Sequence, residues 1–249
     1  NASNNFYLQD PNSKTCYIVD LKTLLNSRKF VSDEQFRYSS EVLPTSDLCL
    51  LDDNRYIGYH MWYLDDKQFS KVDSPLGYYQ KGEDSGKGMD DFPFFVASVN
   101  GARLFKNPQT QELWTADMHR DAIRIYNDSL KQIRELVGPD HFSPEYTRRQ
   151  IDAPVAFVTF ADECDYHAYT DYYITDKHIY LVYEGNKHFD MKNLSPVEIF
   201  KLDFDGNLLC NYKLDRYVYS ISINRKEDTL YCASRPSVME PPVILKYKL

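Results

Sequence analysis

The stretch ADECDYHAYTD, residues 161–171, gathers Asp162, Glu163, Asp165, His167 and Asp171 within eleven positions. Carboxylates at that density suit a hard divalent cation, and His167 beside Asp165 suits a general base oriented by a carboxylate. The D-x-[DN]-x-[DN]-G spacing of a Ca²⁺ loop is missing, however. The plainer reading is preferred: an acidic, solvated crossing whose Tyr166 and Tyr169 pack against neighbouring layers. Cys164 and His167 would form a nucleophile pair only if something lowered the thiol pKa, and nothing in the sequence does.

A second candidate is DMHRD (117–121), which sets His119 and Arg120 close to Trp114. The planar fork of an Arg pairs with a carboxylate and stacks on rings, so this segment suits a carboxylate or a sugar. The competing and favoured reading pairs Arg120 with Asp117 or Asp121 at the surface. Trp62 and Tyr63, with Tyr78 and Tyr79, offer a stacking platform for a glycan, although most such aromatics serve as core. Arg235, in SRPSVMEPP (234–242), completes a candidate ligand-binding set of Trp62, Tyr63, His119, Arg120, Asp165, His167 and Arg235.

No catalytic set and no metal set is assigned. G-x-S-x-G, H-E-x-x-H and the kinase motifs are absent. GEDSGKG (82–88) fails as a P-loop, because three residues rather than four separate Gly82 from Gly86 and Gly88 follows Lys87. No cofactor is expected; a Ca²⁺ ion at a funnel would suit the carboxylates but has no motif behind it.

The elements that must hold these residues are strands. In VEIFKLDFDGNLLCNYKLD (197–215), Phe200, Leu202 and Phe204 alternate with Lys201 and Asp203; Cys210, Tyr212 and Leu214 alternate with Asn211 and Lys213. Period-two alternation predicts a strand with one buried face, and Asp205-Gly206 predicts a two-residue hairpin turn. DYYITDKHIYLVYEG (171–185) is a preceding hairpin, giving four consecutive strands. The pattern returns at 47–62, 102–138 and 219–249, with Asn127-Asp128 standing for Asp205-Gly206. Four strands repeated every 40–50 residues predict an all-β propeller of antiparallel four-stranded blades, six of them, in one domain spanning 1–249.

Two stretches, 88–99 and 147–162, fit poorly, and one of them is taken as part of a degenerate blade. SPEYTRRQ (143–150) and DLKTLLNSRK (20–29) predict short helices. The last unit stops after three strands, so the N-terminal segment is expected to complete it. In such a ring the first-to-second and third-to-fourth turns share one face. The longer second-to-third loops and blade crossings share the other, and those carry the candidate residues. The site is therefore expected on the long-loop face, at the mouth of the funnel.

Composition narrows the function. A net charge of −8 argues against nucleic acid, whose affinity comes from clustered Lys and Arg. The longest apolar run, at 93–99, is far short of a membrane span. The five cysteines include no C-x-x-C pair, and Cys16, Cys49, Cys210 and Cys232 read as inert strand residues. The chain begins at Asn1, consistent with a removed export signal.

With these motifs in order, ARLFKNPQTQELWTADMHRDAIRIYNDSLK, YYITDKHIYLVYEG, PVEIFKLDFDGNLLCNYKLD and SISINRKEDTLYCAS resemble the TolB-like six-bladed propellers. The resemblance covers roughly 44–249. It implies an exported protein of the periplasm or cell surface, often lipid-anchored as a precursor, and it carries over no catalytic residue. The expected function is a monomeric module that binds a glycan, a peptide or an envelope protein. The alternative is a carboxylate- or metal-dependent hydrolase or lyase with its site at the funnel.

Overall fold

The computed structural model describes residues 5–10, 15–27, 34–37, 44–50, 55–60, 76–80, 95–97, 101–152, 155–160, 165–185, 194–237 and 239–249. These residues form six sheets and one short helix. The first sheet holds β1 (Asn5–Asp10), β2 (Thr15–Asp20) and β3 (Glu34–Arg37); the second holds β4 (Pro44–Leu50), β5 (Arg55–His60) and β6 (Leu76–Gln80). α1 (Leu21–Ser27) lies where a helix was expected, and Asp20 Oδ1 caps it by accepting from the Thr23 amide at 2.6 Å.

Two sheets are complete antiparallel quartets. One is β8 (Ala102–Lys106), β9 (Leu113–Asp117), β10 (Ala122–Tyr126) and β11 (Gln132–Val137). The other is β14 (Tyr169–Ile174), β15 (Ile179–Tyr183), β16 (Glu198–Leu202) and β17 (Leu208–Lys213). A further antiparallel sheet runs β18 (Val218–Ile223), β19 (Thr229–Ser234), β20 (Val243–Lys248).

The two quartets are each pressed between neighbouring sheets, and burial shows it. Every residue of β9, β10 and β15 is buried, while the outer strands β11 and β17 are largely exposed. Phe200 and Leu202 face the quartet β8–β11, as the alternation predicts. Ile199, on the opposite face of β16, is also buried, against Val218 and Ile221 of the next sheet. Three cores thus join four consecutive sheets. Ile57, Tyr59 and Leu76 meet Leu104 and Tyr126; Trp114 and Ile125 meet Tyr169 and Leu181; Tyr180 and Val182 meet Ile221 and Leu230. The inner strands are also tied directly. Arg103 Nε donates to the Thr170 carbonyl at 2.7 Å, and Asp171 Oδ2 accepts from the Ile221 amide at 2.8 Å. This is a β-propeller arrangement.

The turns depart from expectation in an informative way. Only Gly206 of the Asp205-Gly206 pair has positive φ, at 88°, so the link is not a two-residue turn. It is a five-residue loop opened by Asp203, whose Oδ1 accepts from the Asp205 and Asn207 amides while its carbonyl accepts from Gly206 N–H. Asn107, Asn127 and Asn224 open turns in the same way; Leu130 and Glu227 are left-handed where Gly206 stands, and Gln111 is left-handed one position later in a loop one residue longer. Asn127 therefore corresponds to Asp203, not to Asp205. Thr175 uses its hydroxyl likewise, accepting from the Lys177 and His178 amides.

Three further expectations need correction. Residues 146–152 are not helical but form β12 (Tyr146–Asp152), paired antiparallel with β13 (Val155–Phe160); the hairpin ladder outweighs the Ser-Pro start signal. β7 (Phe95–Ala97) pairs in parallel with β13, so the two poorly fitting stretches make one three-stranded sheet. That sheet is not interposed between the quartets, since β14 lies against β8 as well as β18. Finally, β1–β3 pair among themselves, and among the described residues no N-terminal strand joins β18–β20. β20 keeps the alternating exposure of an outer strand, with Ile244 74% exposed.

Candidate functional site

Three backbone segments on the long-loop face are laced together. The Ala168 amide donates to the Met118 carbonyl at 2.7 Å, and the Glu184 amide donates to the Ala168 carbonyl at 2.9 Å. Met118 begins the link between β9 and β10, Ala168 ends the crossing into β14, and Glu184 follows the last residue of β15. The residues beside these bonds are His119, His167 and Glu184, so the lacing itself sets their side chains next to one another.

The two imidazoles meet edge to face with centroids 5.0 Å apart, and the Phe160 ring lies 4.7 Å from His119. Asp165 sits against both: its Oδ1 is 3.4 Å from His167 Nε2 and 3.9 Å from His119 Nδ1. Glu184 Oε2 lies 3.4 Å from His167 Nδ1. His119 Nδ1–H donates to the Tyr166 carbonyl at 3.2 Å. The site is shielded, with His119, His167 and Glu184 side chains 11%, 15% and 10% exposed.

The environment pushes the two imidazoles in opposite directions. Burial first, then the neighbouring His167, lowers His119 to about 4. Burial opposes a charge on His167 as well, but hydrogen bonding to Asp165 and Glu184 outweighs it and holds that imidazole up to about 9. At neutral pH a bare imidazole therefore faces an imidazolium clamped between two carboxylates. Tyr217, pushed up by burial and by Glu184 next to it, extends the cluster toward β18.

Of the residues singled out in the sequence, His119, Asp165 and His167 come together. Arg120 does not join them: its Nη1 pairs with Asp117 at 3.1 Å, and Asp117 also pairs with Arg124 at 3.3 Å. Trp114 is fully buried between Phe105 and the Arg134 guanidinium, so it presents no sugar-stacking face beside Arg120. Arg235 lies over the Tyr219 ring at 5.8 Å. Asp171 is drawn into the tie between β14 and β18, and burial raises its pKa. Trp62, Tyr63, Asp162, Glu163, Cys164 and the 82–88 segment lie outside the described residues. Burial pushes the Cys16 and Cys232 thiols up to about 11 and about 12, which keeps them protonated and inert.

Sequence reasoning passed over Glu184. The signal was a carboxylate placed directly after a wholly apolar strand, IYLVY, where a charged group must find a partner as the chain leaves the core.

No curated protein matches the chain. Among solved structures, a member of the DUF4221 family from Bacteroides vulgatus ATCC 8482 is similar at a TM-score of 0.51, with 9% identity over 99% of this chain and 76% of that one. At that identity the likeness speaks for the fold. A functionally unknown protein from Desulfotomaculum acetoxidans DSM 771 matches at a TM-score of 0.41 with 13% identity, over 99% of this chain and 80% of its own. The model of the family described as TolB-like 6-blade propeller-like matches residues 63–226, well over half of the 249-residue chain. With its blades, its Asx-opened turns and this match together, the chain belongs to the TolB-like propeller family.

Proposed function

We propose that the protein is an exported, monomeric binding module that engages a glycan, a peptide or an envelope protein through its long-loop face. One observation carries this reading: the two faces are chemically unlike. One is closed by turns that satisfy their own backbone groups, as at Asn127, Asp203 and Asn224. The other gathers His119, Asp165, His167 and Glu184 from three separate segments, with Arg235 on the loop between β19 and β20. Convergent polar groups on a rigid scaffold are what recognition requires. Membership of the family supports export to the periplasm or cell surface, with a lipid anchor on the precursor. Among the described residues no helix is long and apolar enough to cross a membrane.

Glycan and peptide arrays probed with wild-type protein test the reading. Hits should weaken at least tenfold in Arg235→Ala and His167→Ala and persist in Lys177→Ala, on the opposite face. Hits lost only on the tight-turn face, or no hits at all, would overturn it. The convergence of two imidazoles with two carboxylates also favours a second reading, a hydrolase or lyase using the same cluster for proton transfer. Array ligands consumed with time by wild-type protein, and spared by His119→Gln, would select it over simple binding.

A further inference from the structure

We propose that His119, Asp165 and His167 form a binding site for a borderline divalent transition metal, represented by Zn²⁺, with Glu184 and the Tyr166 carbonyl as its outer hydrogen-bond partners. One nitrogen from each imidazole and one Asp165 oxygen all lie within 4.8 Å of one another. A tetrahedral ion with bonds of about 2.0–2.1 Å holds its ligand atoms ~3.4 Å apart. The separation between Asp165 Oδ1 and His167 Nε2 is already 3.4 Å. Closing on an ion therefore needs the ligand atoms to approach one another by about 1.4 Å at most, the difference between 4.8 Å and ~3.4 Å.

The surroundings point the same way. A ligating histidine characteristically gives its other ring N–H to a carboxylate or a backbone carbonyl, which fixes the ring and strengthens the ligand. Both histidines have such a partner on Nδ1: Glu184 Oε2 at 3.4 Å for His167 and the Tyr166 carbonyl at 3.2 Å for His119. Each is thereby set up to bind through Nε2. A second observation is independent of these distances. Glu184 is nine-tenths buried, yet its Oε1 has no hydrogen-bond partner among the described residues. A buried carboxylate oxygen left without a donor is costly, and His167 carries one charge against two carboxylates where a divalent ion would balance both. The two carboxylates together would neutralise a divalent ion. Two nitrogens and one oxygen suit Zn²⁺ or Co²⁺ better than Ca²⁺, which takes six or more oxygens. Three protein ligands also leave a fourth position for water or a ligand group.

The test uses the whole protein, stripped with chelator and titrated with Zn²⁺ by calorimetry and with Co²⁺ by visible absorption. One equivalent should bind, raise Tm and give the intense bands of a four-coordinate Co²⁺ site. His119→Gln and His167→Gln should each weaken Zn²⁺ by more than about 100-fold, and Glu184→Gln by about 10- to 100-fold, with far-UV circular dichroism unchanged. Should a histidine variant fail to fold, the Co²⁺ spectrum of wild-type protein and the Glu184→Gln titration still decide. No binding, binding indifferent to all three substitutions, an octahedral Co²⁺ spectrum, or a response to Ca²⁺ alone would overturn the assignment. The site shares its residues with the recognition reading above, yet the two fail separately: arrays can succeed on chelated protein, and metal can bind with no array hit.

Discussion

Asp121 is 1% exposed and accepts three hydrogen bonds, from the Asp140 and His141 amides at 2.7 and 2.8 Å and from the Tyr169 hydroxyl at 3.1 Å. It anchors the crossing that follows β11 to the β9–β10 link. Asp121→Ala strands one buried and two part-buried donors and should cost about 2–3 kcal/mol in chemical denaturation. Gly138→Ala should be at least as damaging, because a Cβ there would sit 1.9 Å from Asp121 Oδ1 and 2.5 Å from the Tyr169 oxygen. Glu227 does similar service on the opposite face, accepting from Tyr180 and facing His178 at 2.6 Å and Lys201 at 3.4 Å. Burial would raise its pKa, but Thr175, His178 and Lys201 hold it below the ordinary value. A depressed folded pKa means the stabilisation is whole above about pH 4.5 and is lost as pH falls through the folded value. Tm measured from pH 7 down to 3 should therefore drop less steeply in Glu227→Gln, which starts lower at neutral pH. None of these roles is legible in sequence. Asp121 and Glu227 are ordinary turn acids there, and their partners lie from 19 to 52 positions away.

The repeating hairpin is the element that local sequence does specify. Its strands follow from period-two alternation, because the pleat sends successive side chains to opposite faces. Its turns follow from Asx residues, although the residue that matters is the opening Asn or Asp rather than the glycine. Gly206 still counts: Gly206→Ala places a Cβ 2.6 Å from Leu136 Cδ1 at a φ of +88°. Equilibrium denaturation should show a loss of about 1–2 kcal/mol. What the pattern could not reveal is pairing between distant segments. β7 joins β13 in parallel across some sixty residues, and a parallel pair has no connecting turn to announce it. The helix expected at 143–150 failed for the same reason, since a Ser-Pro start signal is local and the β12–β13 ladder is a competing partner. The candidate site obeys this division. Asp165 and His167 are neighbours in sequence and were noticed together; His119 reaches them across forty-six positions through the Met118–Ala168 hydrogen bond.

For the whole molecule, the burial of both faces of β16 separates a ring of blades from an isolated hairpin. Phe200→Ala and Ile199→Ala remove side chains from opposite cores, and each should cost about 2–5 kcal/mol. An isolated hairpin with one wet face would lose stability at Phe200 alone. The alternation in 197–215 indicated one buried face because it weighed Lys201 and Asp203; the second face became visible only once β18 and β19 were packed against it. Turns that close on their own Asx side chains have one more consequence, a practical one. A tag, fluorophore or surface tether attached at Asp128 would load a loop that Asn127 closes on itself, on the face opposite the histidine cluster. The molecule would then be presented on a sensor in a single orientation, histidine cluster outward, ready for either titration.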